Sequence, residues 1–527
     1  MKMKKYIIIA MSLCGVLFSS CSLEEEPSYF VDTTNYYKNT IQCRTAVNSV
    51  YKRLSGLYNF KFFTIAEAHT DVCYDPAPTL PLARLELSPT LPDHAETIWS
   101  YCYEMVMYAN GVLANVEKAP ISDEDKLNLL SETAIMRAFY YYLLTSHFNN
   151  VPFYTEEIAT QEDLDRVAKL PRMSAVDTRT YLINELQSYY TQLKASDAAG
   201  KSKYTYLVRT SDTEENRAGV PLLLTLIGKM AMWQAAFDTA QTPEYWYQIA
   251  IDAYKEVEAI YGDLTEAAYP LEEIKFRYKN PAESIFEIQH TYTSGGLNYT
   301  SNLSCACIPA STGTSADDAL WDGIRVEELS FDMSRGWGKA RPNLVFCRDI
   351  QPVDGADLRA NINMALTYNG QQFNQYKNSG TPYMGAKFWC PGQYLSYDSN
   401  NYRIFRYADV VLSMSECYYH LGQYDKAHQY LNKTRVRAGL DEVEFKKAKT
   451  TLKEIQNERA RELFGEFQRK FDLVRWGVWY DWTLGYNNYA ELRDNIRPCH
   501  EFLPIPDKQV VYSGYALDNK EYNKYGM

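Results

Sequence analysis

Glu458, Glu462 and Glu466 recur four residues apart in NERARELFGEFQRKFDLVRWG (457–477), and Arg461 and Arg469 follow two of them by three residues. On a helix, that spacing sets the carboxylates on one face. Two carboxylates about 5–10 Å apart are what glycoside hydrolysis requires, so the block invites an acid–base reading. The interleaved arginines favour another. Opposite charges three or four residues apart brace a helix, and Ala460, Phe464, Phe467, Phe471 and Val474 form its apolar stripe. Exposed pairs of this sort are worth ~0–1 kcal/mol each, so substitutions here are expected to weaken folding modestly and to abolish no reaction. Other catalytic patterns are missing from the sequence. The histidines, at 69, 94, 147, 290, 420, 428 and 500, show no H-E-x-x-H spacing. Cys305 and Cys307 lack the further Cys or His that a zinc site needs. Neither G-x-S-x-G nor a glycine-rich phosphate loop occurs. The expectation is a chain that is not an enzyme and that uses no metal and no cofactor.

Recognition chemistry is better represented. The sequence has 45 tyrosines within an aromatic share of 14%. An aromatic ring offers a flat apolar face, and tyrosine and tryptophan add a polar edge. Sugars fit such surfaces: their C–H faces lie on rings, while their hydroxyls demand hydrogen-bond partners. Most of the tyrosines must pack helices, but Tyr292, Tyr299, Trp321, Trp337 and Trp389 fall in loop-rich sequence, and Trp99 follows LPDHAET at the start of a helix. Asn298, Asn302, Asp317, Asp318 and Arg335 are candidate polar contacts. Each ring is also of a kind that packs an ordinary core or meets a partner protein; the expectation is that several of the set line one site.

The elements that must position these residues are mainly helices. Apolar periodicity predicts helices over about 94–118 and 124–149, broken at KAPISDED, where Ser122 can cap the second. A pair over about 220–240 and 244–261 is broken at Thr242-Pro243. In RYADVVLSMSECYYHLGQYDKAHQYLNKTRVRAGL (406–440), Val410, Met414, Cys417 and Leu421 share one helical face. Gly422 supplies the turn, and Gly439 ends the second helix. A long helix over about 451–475 follows. Pairs of this length resemble tetratricopeptide units, which bury by stacking what no pair buries alone. Between about 275 and 403 the pattern changes: FEIQHTY alternates as a short strand would, and stretches rich in Gly, Pro, Asn and Ser follow. So long a loop-rich insertion on a rigid scaffold is where function is expected.

The chain has 527 residues, 54 Lys and Arg against 66 Asp and Glu, and a formal charge of −12. That balance argues against nucleic acid and against an anionic membrane surface as partners. Its start is a leader: Lys2, Lys4 and Lys5, then a mostly apolar run from Ile7 to Phe18, then Ser19 and Ser20 before Cys21. The run is too short to span a bilayer, which takes about 20 residues, and has the layout of a secretory signal over 1–20. Phe18-Ser19-Ser20-Cys21 resembles the lipobox of bacterial lipoproteins. The resemblance implies lipid on Cys21, with 22–30 as tether, and several acyl chains make a stable anchor. With Cys14 lost and Cys21 lipidated, nine cysteines remain, so at least one is unpaired in a monomer. They are scattered, and most are expected as small core residues.

Four segments, in order, resemble the SusD/RagB family of outer-membrane lipoproteins of Bacteroidetes: AIMRAFYYYLLTSHFNNVPFYTEE (134–157), the 406–440 helix pair, the 457–477 block, and FLPIPDKQV (502–510). Phe467 stands where that family commonly has Gly, Ala460 where a second Arg is usual, and the tail YSGYALDNKEYNKYGM lacks the usual Asn-Pro-rich ending. The resemblance implies one SusD-like domain over 31–527, mostly α. A helix-pair scaffold (about 31–265 and 404–527) would carry the insertion over 275–403. It also implies a surface-exposed protein that binds a nutrient glycan and delivers it to a SusC-type TonB-dependent transporter. The glutamates at 24–26 are similar to the acidic export signal of such lipoproteins. Capture of peptides or another nutrient, a glycan-degrading enzyme, and a purely structural lid stay open as alternatives.

Overall fold

A computed structural model of the chain describes residues 36–527 except 77, 200–216, 292–298, 308–319, 322–323, 326–335, 354, 366, 369–370, 373–380, 391–395 and 445–447. The leader, Cys21 and the acidic run lie outside the described residues.

Ser122 accepts a hydrogen bond from the Asp125 amide at 3.1 Å, satisfying one of the orphan donors at a helix start. The helix it caps, α3 (Asp123–Phe148), follows α1 (Thr40–Asn48) and α2 (His94–Lys118). After it come α4 (Ala175–Ala198), α5 (Val220–Phe237) and α6 (Pro243–Tyr261). Pro243 opens α6 at a position where its missing N–H costs nothing. Helix α4 is not among the elements expected above, although Ser174 caps it through the Asp177 amide at 3.0 Å. Its signal is weak because only six of its residues, among them Leu182, Ile183 and Leu186, are buried.

Successive helices pack on one another: α2 on α3, α3 on α4, α4 on α5, and α5 on α6. Helix α3 is buried on nearly every residue from Asn128 to Phe148, which is why it shows no clear apolar stripe. Helix α5 is long and apolar enough to cross a membrane, but 89% of it is buried inside the protein, as a core helix is. At Gly228 of α5 a Cβ would sit 2.3 Å from the Tyr254 ring. The α5–α6 approach therefore depends on a residue without a side chain.

The base of the insertion is a two-stranded antiparallel ribbon. Its first strand, Ser284–Ile288, shares only 286–288 with the stretch expected to alternate over 286–292 and is buried on every residue; it pairs with Tyr402–Arg406, Glu287 opposite Arg403. Between these strands, in chain order, lie helix α7 (Leu303–Cys307) and several two-residue strands, including Leu320–Trp321, Arg341–Pro342 and Tyr383–Met384. The second ribbon strand runs directly into α8 (Tyr407–His420), which packs on α6, on α9 (Tyr424–Arg437) and on α10 (Ala448–Glu462). Gly422, at φ 71°, makes the α8–α9 turn, and Gly439, at φ 75°, ends α9.

The long helix expected over 451–475 is broken. Helix α10 stops at Glu462 and α11 (Arg469–Arg475) begins anew. Gly465, at φ 72°, lies in the gap, where a Cβ would meet the Phe388 ring at 2.3 Å. Phe467, at φ 62°, adopts the same left-handed backbone without being glycine. Its ring repays the strain: it is 1% exposed and meets Tyr58, Phe62, Phe63 and Tyr402 at centroid distances of 5.5–5.9 Å. Left-handed backbone costs about 1–2 kcal/mol, whereas emptying a buried phenylalanine site costs about 3–5 kcal/mol. Phe467→Gly is therefore expected to destabilise the protein by about 2 kcal/mol; an unchanged or raised urea midpoint would contradict this. All nine cysteines among the described residues are buried.

Candidate functional site

The insertion is fastened to the helices by buried charge. Arg359 within the insertion donates to Glu462 at 2.6 Å, Glu458 at 2.7 Å and Asp357 at 2.8 Å. Lys387 donates to Glu466 at 2.5 Å. Arg406, where the ribbon meets α8, reaches Glu462 at 2.6 Å, Glu283 at 2.7 Å and Glu466 at 2.8 Å. Arg437 of α9 contacts Glu283 at 2.8 Å and also Glu462. The side chains of Arg359, Arg406, Arg437, Glu458 and Glu462 are all 0% exposed. The expected role of the block, a brace, is correct, but its expected setting is not. These are not surface pairs worth ~0–1 kcal/mol, because no water screens them. Arg461 does pair with Glu458, three residues before it, at 2.8 Å. Arg469, carried away by the break, pairs with Asp71 at 2.6 Å. Burial alone would push these acids up, but the surrounding guanidinium charges win: Glu458 and Glu283 are held down at about 2, and Glu462 well below the usual carboxylate range. Groups locked in the ionised form are unsuited to general acid catalysis near neutral pH.

The six candidate rings separate by burial. Trp99 is 4% exposed and packs against Tyr103 and Phe148 at about 5 Å. Trp389 is 2% exposed and donates its indole N–H to the Met384 carbonyl at 3.2 Å. Both are core residues with no face to offer a ligand, which corrects their expected role. Tyr292 lies outside the described residues. Trp321 belongs to a strand whose backbone pairs with Ile324 and Tyr368, and its side chain is outside the description. Trp337 and Tyr299 remain, 39% and 61% exposed.

Both lie on segments that adjoin helix α7. The Trp337 and Lys339 amides donate to the Cys305 and Ala306 carbonyls, each at 2.8 Å, which lays the tryptophan's segment along the helix. The Trp337 ring stands edge-on to Phe60 at 6.4 Å. Tyr299 lies four residues before the start of α7, and its carbonyl accepts the Thr291 amide at 2.8 Å. The start of α7 is pinned by Asp398. Ser301 and Asp398 exchange backbone hydrogen bonds at 2.9 Å, and the Asp398 carboxylate accepts the Ser304 amide at 3.0 Å. Burial pushes Asp398 up to about 7 against those hydrogen bonds. Of the polar candidates, Asn302 sits just before α7; Asn298, Asp317, Asp318 and Arg335 lie outside the described residues.

The fold also assembles a contact that no local pattern signals. Arg341 stacks its guanidinium 3.8 Å from the centroid of Tyr383. Opposite Arg341 across a strand pair is Tyr74, whose hydroxyl meets Thr381 at 3.0 Å. Arg341 and Tyr383 are both half-buried and place a guanidinium against a ring. A separate hollow of about 680 Å³ lies between α3 and α4, with Glu117, Asp123 and Glu185 in its wall, and none of the candidate rings lines it. Among the described residues, no group of three or more His, Cys, Asp or Glu is placed to hold a metal ion.

Two family models match the chain, one described as starch-binding associating with outer membrane, over residues 30–182, the other as the SusD family, over residues 361–526. Together they span more than half of it. SusD-like protein P25 of Formosa agariphila is 24% identical over 575 residues, covering 99% of this chain and 99% of its own length. A SusD homolog from Bacteroides thetaiotaomicron shares the fold with a TM-score of 0.69 at 22% identity, over 91% of this chain and 98% of its own. Surface glycan-binding protein A from the same organism, solved in complex with laminarihexaose, does so with a TM-score of 0.67 at 19% identity, over 91% and 99%. Family models thus match both ends of the chain and the fold is shared along nearly its whole length: the chain belongs to the SusD/RagB family.

Proposed function

We propose that this chain is a surface lipoprotein that binds nutrient glycan on the face of its insertion and passes it to a SusC-type TonB-dependent transporter, without cleaving it. The observation that carries the reading is the exposure of Trp337 and Tyr299 on segments beside helix α7, whose start is pinned by Asp398. A preordered platform loses little entropy on binding, and two rings separated by polar backbone suit a ligand with apolar faces and hydroxyl rims. Arg341 and Tyr383 would supply donors and a further ring, and Tyr292 and Trp321 remain members of the proposed site. The family description that mentions starch, and the relative solved with laminarihexaose, support the ligand class.

Calorimetry of the chain lacking residues 1–21, against starch, laminarin and a panel of other polysaccharides, tests the reading. Binding to at least one glycan, with no reducing ends released, is expected. Binding to peptides alone would move the assignment to another nutrient, and reducing-end release abolished by a single carboxylate substitution would make the protein an enzyme. The anchor at Cys21 and the outward-facing outer-membrane location are part of the same proposal. Cys21→Ala is expected to abolish incorporation of a palmitate analogue; label that persists in the variant would remove the anchor.

A further inference from the structure

The C-terminal tail, whose sequence departs from the usual family ending, closes a pocket of about 370 Å³ against the end of α3. That volume is within the range of small-molecule sites, about 300–1,000 Å³. The tail is held there by Arg172, which donates to Asp518 at 2.8 Å across 346 residues of sequence. The charges around the pocket are otherwise matched. Lys520 pairs with Asp518 at 2.8 Å and Lys524 with Glu521 at 2.6 Å. Glu501 is the exception: it lines the pocket, is half-buried, and makes neither a hydrogen bond nor an ion pair with the described residues. A carboxylate so placed is partly withdrawn from water and free to accept hydrogen bonds from a ligand. Burial accordingly pushes it up, with the charge of Lys470 pulling the other way.

Asn149 stands beside it. Its backbone, at φ 60° and ψ −111°, lies where residues other than glycine are strained. Its side-chain amide makes no hydrogen bond with the described residues. Strain of this kind persists where surrounding structure enforces it, and such positions cluster at binding sites. Phe502 and Tyr525 contribute rings to the lining, Tyr525 at 43% exposure.

We propose that this pocket binds a short neutral saccharide, with Glu501 accepting its hydroxyl donors, Asn149 bonding its remaining polar groups, and Phe502 and Tyr525 meeting its apolar faces. Neutrality follows from the charges. The lining holds three cationic side chains, Arg172, Lys520 and Lys524, against three carboxylates, Asp518, Glu521 and Glu501, so it favours neither a cation nor an anion. An uncharged polyol suits that balance and can hydrogen-bond to Glu501 and Asn149. The site is built by other elements than the insertion and does not depend on Trp337 or Tyr299.

Hydrogen exchange of the intact mature chain, with and without millimolar maltose, laminaribiose or cellobiose, tests it. Slowed exchange over 498–505 and 518–525 with at least one disaccharide is expected, undiminished when Trp337 and Tyr299 are both replaced by alanine. Glu501→Gln should weaken that effect at least about tenfold, the range for hydrogen bonds to charged groups, while polysaccharide binding elsewhere is unchanged. Tyr525→Ala, at an exposed ring, gives a second variant should Glu501→Gln fold poorly, and is expected to weaken protection likewise. If none of the three disaccharides slows exchange in the tail, or if both variants respond as the unaltered protein does, the proposal is overturned. Protection of the tail with no polysaccharide binding at the insertion would keep this site and refute the other.

Discussion

Replacing Glu462 with alanine is expected to lower the unfolding free energy by about 3–5 kcal/mol, the cost of breaking a buried ion pair by removing one partner. The figure follows from what is left behind. Glu462 serves Arg359, Arg406 and Arg437 at once, and all three guanidinium groups are fully buried. With Lys387 and Arg461, which share Glu466 and Glu458, five cations would then face four carboxylates, Asp357, Glu458, Glu283 and Glu466, leaving one positive charge uncompensated. Natural domains have about 5–15 kcal/mol in all, so the loss is a large part of the whole. The urea midpoint should fall steeply, whereas Lys194→Ala, which breaks an exposed pair with Glu256, should leave it unchanged. Equal midpoints for the two variants would show that the network is not a brace. The same network sets an acid limit. Glu458 and Glu283 are held at about 2, below the 4.5 of a free glutamate. Their contribution is thus complete above about pH 4.5 and is lost as pH falls toward 2. Acid should release the insertion from the helices before it unfolds surface-paired regions.

Trp337→Ala is expected to weaken glycan binding by about 2 kcal/mol, roughly thirtyfold in Kd, the size typical of a central aromatic contact. Tyr299→Ala should act in the same direction, and the double variant should approach complete loss. Neither substitution leaves a hole in the core, because both rings are substantially exposed. Trp389→Ala is the informative contrast: it removes a ring that is 2% exposed, so it should cost stability and affect binding only through folding. Calorimetry beside a thermal melt separates the outcomes. Unchanged affinity in the Trp337 and Tyr299 double variant, with the fold intact, would sink the platform and favour a structural lid.

Helix starts, turns and stops were legible because they are decided within one or two turns of chain. Ser122, Pro243, Gly422 and Gly439 act on backbone groups next to themselves, and apolar spacing at 410, 414 and 417 repeats at the helical period. The ordered motifs were legible for the same reason, being short strings of residues. The break between α10 and α11 was not, since Gly465 and Phe467 take left-handed backbone in answer to Phe388 and to an aromatic cluster from distant parts of the chain. Nor were the partners of the carboxylate block: Arg359, Arg406 and Arg437 lie in three separate segments, and only their meeting turns a row of glutamates that looks solvated into a dry ionic core.

The candidate rings show the division most plainly. By itself the sequence determined that several tryptophans and tyrosines would fall on an irregular insertion carried by paired helices. Which of them face outward was decided by tertiary structure alone, burying Trp99 and Trp389, exposing Trp337 and Tyr299, and bringing Arg341 onto Tyr383. The reason is physical: helix period and capping are properties of neighbours in sequence, whereas loss of water from a side chain depends on every segment that folds over it.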